Sequence, residues 1–267
     1  MSKLKTPIEF LVCLALSSQR KGEEGYSLTL HLRVRPGTLA RDVIACGDPA
    51  RVDLLSSLLD EVRLLSSYRG FKVVEGFYKK RRIALATHGI GGPSAAIVFE
   101  ELRMAGAERI VRLGSAGGLR RDAKVGGVVV ATGAGYLQGG CALGSYAPGF
   151  CLSTSPDIEL TYNIMKSFKE HNIEFVAGPV FSNDAFYMES KEFGEKLARL
   201  GFVAIEMETA TLFALGFLRG FKTASVLVAS NVLYEENFIG KLLSTEELAE
   251  TYIKVGRALL EALVRTQ

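Results

Sequence analysis

Short apolar runs, each ending at a glycine-rich or acidic turn and followed by a stretch of helical periodicity, constrain this chain more than any other feature. Residues 43–46 (Val-Ile-Ala-Cys) run into Gly47-Asp48-Pro49-Ala50-Arg51, and Pro49 suits the first turn of a helix over 49–59. Residues 82–87 form a strand that ends at His88 and Gly89-Ile90-Gly91-Gly92-Pro93-Ser94. A helical period over 94–104 then turns Ile97, Val98 and Leu102 inward. The strand 109–113 precedes Gly114-Ser115-Ala116-Gly117-Gly118, and 128–132 is a further strand. Downstream, helices are predicted over 157–171, 189–200, 208–220 and 244–264, with strands over 174–180, 202–205 and 223–230. Such alternation predicts an α/β fold with a central mixed, largely parallel sheet flanked by helices in three layers. Ligands of such sheets sit at the carboxyl ends of strands, where all the turns named above converge.

A chain of 267 residues, 48% hydrophobic, can bury one large domain, and no linker tract or internal repeat divides it. Two segments are expected: an N-terminal extension over 1–28 and a single domain over 29–267. The net charge of +3 is small and its basic residues are dispersed, so no nucleic-acid partner is expected. Cys13, Cys46, Cys141 and Cys151 show no CxxC spacing, and with three histidines no metal site is expected. The apolar run 10–16 is short, Glu9 interrupts its start, and no cleavage site follows. It reads as an N-terminal helix or as sequence ahead of the true start. A cytoplasmic protein without a membrane partner is expected.

The turns carry the chemistry. Backbone N–H groups at a helix start attract anions, glycine lets a ligand come close, and Arg51 adds a planar donor suited to phosphate. A tight turn with a surface arginine would look the same. Gly89 to Ser94 fits neither a P-loop nor a dinucleotide fingerprint; it suits a phosphate or sugar loop, or a close helix–sheet contact. Arg112 lies on an apolar strand, where a guanidinium is costly unless paired or bound to an anion. Ser115 is placed to reach the same anion. Glu206 and Glu208 flank Met207 in an apolar stretch, leaving three uses open: acceptance from vicinal ribose hydroxyls, an acid/base pair, or a helix cap. Phe186 and Tyr187 could stack on a planar base or belong to the core.

Taken together, these motifs resemble the nucleoside phosphorylase family that holds uridine phosphorylase and the hexameric purine nucleoside phosphorylases. The resemblance runs from about Leu30 to Leu263; Thr87 to Ser94, Glu100-Glu101-Leu102 and Glu206 to Thr211 look closest to the uridine-cleaving branch. It implies that Gly47, Arg51, Arg112 and Ser115 hold phosphate, with Arg69 reaching phosphate from the neighbouring subunit. His31 of that neighbour would meet the ribose 5′-hydroxyl. Met207 and Glu208 would hold the ribose hydroxyls, Glu206 would line the sugar–base region, and Phe186 would pack on the base. A homo-hexamer built from dimers, with shared sites, is implied. Asn231 stands where purine phosphorylases of this type carry a proton-giving aspartate. Ser190 and Glu192 stand where uridine phosphorylases carry a glutamine and an arginine that read uracil.

The implied reaction is phosphate-dependent cleavage of the N-glycosidic bond, giving free base and ribose 1-phosphate. Arg112, Glu208 and Asn231 are its candidate catalytic residues, inorganic phosphate is the co-substrate, and no cofactor is needed. The base pocket departs from both branches, so broad specificity is expected, with purine nucleosides at least as good as uridine. A nucleosidase of the methylthioadenosine type and a non-catalytic nucleoside binder are the competing readings. The arginines argue against the first, and the missing base readers keep the second open.

Overall fold

The computed structural model describes residues 27–266. The extension over 1–28, with its apolar run 10–16 and Cys13, therefore falls almost wholly outside the described residues.

Nine strands form one sheet in the order β2-β3-β4-β1-β5-β8-β7-β6-β9. They are β1 (Asp42–Cys46), β2 (Asp60–Tyr68), β3 (Phe71–Tyr78), β4 (Arg81–Thr87), β5 (Arg109–Gly118), β6 (Val128–Tyr136), β7 (Phe175–Ser182), β8 (Ala204–Glu206) and β9 (Lys222–Val232). Beside them stand α1 (Pro49–Ser56), α2 (Gly92–Ala105), the four-residue α3 (Leu143–Tyr146), α4 (Ile158–Glu170), α5 (Lys191–Arg199), α6 (Thr209–Arg219) and α7 (Ala249–Arg265). β5 also pairs with β9, so the second half of the sheet curls back onto β5. The sheet is mixed: β1–β4, β1–β5, β5–β9, β6–β7 and β7–β8 are parallel, whereas β2–β3, β3–β4, β5–β8 and β6–β9 are antiparallel.

The two-residue period of β1 shows why its run is continuously apolar. Val43 and Ala45 join the core beneath α2 and α6; Ile44 and Cys46 join the core beneath α1, α4 and α7. Phe99 and Leu102 of α2 and Phe213 of α6 fill the first core, and Leu55, Phe168 and Tyr252 fill the second. Local chemistry sets the helix ends. Asp48 caps α1 through Ala50 N–H at 2.9 Å with Pro49 in the first turn, and Asp157 caps α4 through Leu160 N–H at 2.8 Å. Gly106 and Gly220 close α2 and α6 in the left-handed conformation.

Three expectations are corrected. The hairpin β2–β3 was not foreseen: its turn is Arg69-Gly70, both at positive φ, and the β3–β4 turn is Lys79-Lys80, again both positive. These φ signs suit tight hairpin turns, but neither pair is the Asn-Gly that announces one. The strand expected over 109–113 continues to Gly118, so Ser115 is a strand residue rather than a loop residue. Its small residues serve close contacts: a Cβ on Gly114 would stand 2.1 Å from the Arg112 guanidinium. The last helix begins at Ala249, not 244, which leaves Ser244 and Thr245 to line a cavity described below.

Candidate functional site

A cavity of about 620 Å³ opens where β1, β4, β5, β8 and β9 end. Two turns meet at one end of it. His88 N–H donates to the Cys46 carbonyl at 2.8 Å, and a Cβ on Gly47 would press to 3.2 Å from the Gly89 oxygen. Gly47 is thus small because another backbone lies against it.

Arg51 and Arg112 line this end, and both are buried. Arg51 donates to the Leu113 carbonyl at 3.1 Å and the Thr245 hydroxyl at 3.2 Å, and its guanidinium lies over the Tyr252 ring. Its Nε has no partner. Arg112 pairs through Nη2 with Glu208 Oε2, and its Nη1 lies 3.3 Å from Glu206 Oε2 without hydrogen-bonding it. Nε and Nη1 of Arg112 are left open. Burial works against the Arg112 charge, but Glu208 and Glu206 outweigh it and hold the guanidinium above its ordinary range. Two buried arginines that line the cavity and hold unspent donors can take an oxyanion once a small side-chain turn brings those enclosed donors to its surface. Ser115 faces the same space from the exposed side of β5.

The two glutamates have different work. Glu206 Oε2 accepts from the N–H groups of Glu208 and Thr209, both at 2.8 Å, and Ser182 Oγ donates to Oε1. Its side chain is 0% exposed. The carboxylate caps α6 and faces Arg112; with the side chain fully enclosed, only the residue's position along the cavity wall answers to its expected place against the sugar and base. Glu208 accepts from Gly91 N–H at 2.6 Å and from Arg112, with lone pairs left over at the cavity's centre. Met207 lines the wall between them.

The far end is looser. Phe186 and Tyr187 stack edge to face in a short 3-10 turn (Phe186–Met188), and Tyr187 is 85% exposed. Asn231 lines the cavity from β9, but its Nδ2 donates to the Phe238 carbonyl at 3.2 Å. Ser190 caps α5 through Phe193 N–H, and neither it nor Glu192 lines the cavity. Two expected residues stand outside this chain's cavity altogether. His31 Nδ1 meets Glu101 Oε1 at 2.6 Å, and Arg69 sits at the exposed tip of the β2–β3 hairpin.

Four residues were missed. Asp48, Thr245, Ser230 and Glu189 all line the cavity. Asp48 Oδ2 accepts from the Thr245 hydroxyl at 2.5 Å, which ties residues 244–248 to the first turn. Reading 244 as helical hid that contact. Glu189 was legible only as the start of a helix. His88, named only as the end of a strand, is buried with both ring nitrogens unpartnered; burial holds it neutral, well below its ordinary range, and Arg112 adds to that.

A three-layer α/β fold with an arginine-lined cleft at its strand ends defines a class that binds an anion beside a polar small molecule. The chain belongs to the phosphorylase superfamily, whose family model matches residues 41–265. It is similar to the guanosine phosphorylase of Halorubrum lacusprofundi, 34% identical over 220 residues, 82% of this chain and 90% of that one. A DeoD-type purine nucleoside phosphorylase of Myxococcus xanthus is 32% identical over 226 residues, covering 84% and 92%. Among solved structures, uridine phosphorylase from Vibrio fischeri superposes with a TM-score of 0.80 at 29% identity, covering 90% of this chain and 97% of that chain. Purine nucleoside phosphorylase from Toxoplasma gondii, in complex with immucillin-H, gives 0.79 at 25% identity, covering 91% and 99%.

Proposed function

We propose that this cavity cleaves nucleosides with inorganic phosphate, releasing the base and ribose 1-phosphate. The observation that carries the reading is the pair of buried arginines with open donors, Arg51 and Arg112, at one end of a cavity whose other end holds Phe186 and Tyr187. Phosphate rests against Arg51, Arg112, Gly47 and Ser115. Glu208 and the Met207 backbone take the ribose hydroxyls, and Phe186 packs on the base. As the C1′–N bond stretches, the sugar gains positive charge and the phosphate beneath it stabilises that charge before bonding to C1′. Positioning and electrostatics carry the step, with no protein nucleophile and no cofactor. Cys46 is no candidate for one, because burial pushes its thiol up to about 11. Arg69 and His31 complete the site of a neighbouring copy in a homo-hexamer built from dimers.

The test is a screen of uridine, thymidine, inosine, guanosine, adenosine and methylthioadenosine, each with and without phosphate. Phosphate-dependent release of base with ribose 1-phosphate is expected. Equal turnover without phosphate would make the chain a nucleosidase, and thermal stabilisation without turnover would make it a binder. Mixing folded His31→Ala with folded Arg51→Ala subunits should restore some activity once subunits exchange. No recovery after proven exchange would count against shared sites.

A further inference from the structure

The following rests on the phosphorolysis proposed above. A base leaving C1′ takes the bonding electron pair and needs a proton or a strong donor. The cavity's carboxyls are mostly committed elsewhere. Asp48 accepts from Ala50 N–H and the Thr245 hydroxyl, Glu206 caps α6, and Glu208 takes Gly91 N–H and Arg112. Glu189 differs. It receives a single side-chain hydrogen bond, from Asn183 Nδ2 at 3.2 Å, and no ion pair among the described residues includes it. Lys191 nearby is paired with Glu236, and Glu192 is turned to solvent.

The backbone fixes where this carboxyl stands. Glu189 N–H donates to the Phe186 carbonyl at 3.2 Å, which closes the 3-10 turn carrying Phe186 and Tyr187. Asn183 N–H donates to the Glu206 carbonyl at 2.7 Å, which ties its side-chain partner to the end of β8. Glu189 therefore belongs to the base end of the cavity. Burial pushes its carboxyl up to about 7, against the Asn183 hydrogen bond, which lowers it. Two other polar side chains lie near that end: Asn231 has its NH2 group engaged by Phe238 and has no proton to give, and Tyr187 is largely turned to solvent.

We propose that Glu189 is the general acid for the leaving base of purine nucleosides. The neutral carboxyl passes its proton to a base nitrogen as the C1′–N bond breaks and its electron pair moves onto the base. A phosphate oxygen forms the new bond to C1′. The Glu189 carboxylate then regains, through solvent, the proton that hydrogenphosphate gives up on becoming ribose 1-phosphate.

The test compares the full chain with Glu189→Gln on guanosine and on 7-methylguanosine, with phosphate. The methylated base already carries its positive charge and, below neutral pH, leaves without needing a proton. With guanosine, wild-type kcat/KM should fall as pH rises through about 7. Glu189→Gln should lose roughly 10²–10⁴-fold at low pH and show no such fall. With 7-methylguanosine at mildly acid pH, the same variant should stay within about threefold of wild type, since the acid term of roughly 10²–10⁴-fold is not called on. Equal losses on both substrates, or a falling limb that survives in the folded Gln variant, would overturn the assignment. Should Glu189→Gln fail to fold, Glu189→Asp decides: it should keep the falling limb at reduced kcat/KM, and an unaltered profile at full kcat/KM would overturn the acid. A wild type that releases uracil but no purine would overturn it too. No phosphate-dependent turnover of any nucleoside would instead defeat the phosphorolysis on which it rests.

Discussion

The two ends of one cavity are built in different ways. At the arginine end Arg51, Arg112, Glu206 and Glu208 are all buried, and their partners come from α1, β5, β8, the α6 start and the segment before α7. At the base end a three-residue turn presents Tyr187 and Met188 at 85% and 79% exposure. On the function proposed above, the dense, cross-linked half fixes where an anion and a sugar sit. A loop half fixes little beyond an aromatic face. The relatives are named for guanosine, purine and uridine cleavage on one architecture. On that proposed function, the phosphate and ribose groups belong to strand ends and the helix starts that follow them, and base choice belongs to a loop that can change without disturbing them.

The largest effect should come from the dense half. On sequence alone Arg112→Ala is expected to spare the fold. The structure changes that expectation, because removing Arg112 leaves Glu206 and Glu208 buried with no cation. Breaking such a pair costs about 3–5 kcal/mol in stability. Loss of a charged contact in a dry site adds a turnover loss of about 10²–10³-fold. Urea unfolding and phosphate kinetics on the same preparation check both. A variant with wild-type midpoint and wild-type phosphate dependence would remove Arg112 from the site.

Glu208→Gln should act next, also in the dense half. The amide keeps one oxygen for Gly91 N–H and turns an NH2 toward the Arg112 donor. Two donors then face each other, and one ribose acceptor is lost, worth about 1–3 kcal/mol or roughly 5- to 150-fold in kcat/KM. A 2′-deoxynucleoside offers one hydroxyl fewer and should lose less than its ribose counterpart. Equal losses on the two would make Glu208 a partner of Arg112 and nothing more.

The same division explains what could be read from the chain beforehand. Arg112, Glu206 and Glu208 stand out because charge on an apolar strand or beside an apolar helix demands a partner, and the structure supplies one for each. The strands that carry them are legible because their apolar runs are bounded by glycines. The β2–β3 hairpin was hidden because its largely exposed β2 lacks a clear alternation and its turn lacks Asn-Gly. Thr245 was hidden because its contact with Asp48 spans 197 residues and because its segment looked helical. Glu189 was hidden because a glutamate before a helical stretch looks like a solvated first-turn charge.

Asn231→Asp tests whether the base end needs its amide. An aspartate would place an oxygen against the Phe238 carbonyl, where Nδ2 now donates. It must then hold a proton or repel, at about 1–3 kcal/mol in stability. A held proton is engaged by Phe238, so inosine turnover should change by only a few fold if Glu189 supplies the acid. A rise of roughly 10²-fold or more, the size of a full acid contribution, would give the proton-donating role to position 231 instead.

The smallest effect is thermodynamic and isolates Glu189 from turnover. Its carboxyl is raised from 4.5 to about 7 by burial. Because the folded value is raised, the stability contributed by the neutral form is complete below the unfolded value, near 4.5, and is lost as pH rises through about 7. Glu189→Gln has no such titration. Wild type should therefore lose stability relative to the variant across that window, by on the order of 1–2 kcal/mol once solvent around a half-buried carboxyl is allowed for. Urea midpoints of both proteins, measured at several pH values between about 4.5 and 7.5, give the difference directly and cancel every other titrating group. A difference that does not vary with pH would mean that Glu189 is an ordinary solvated carboxylate. The loose end of the cavity would then hold no proton at neutral pH, and the contrast between the two ends would be one of packing alone.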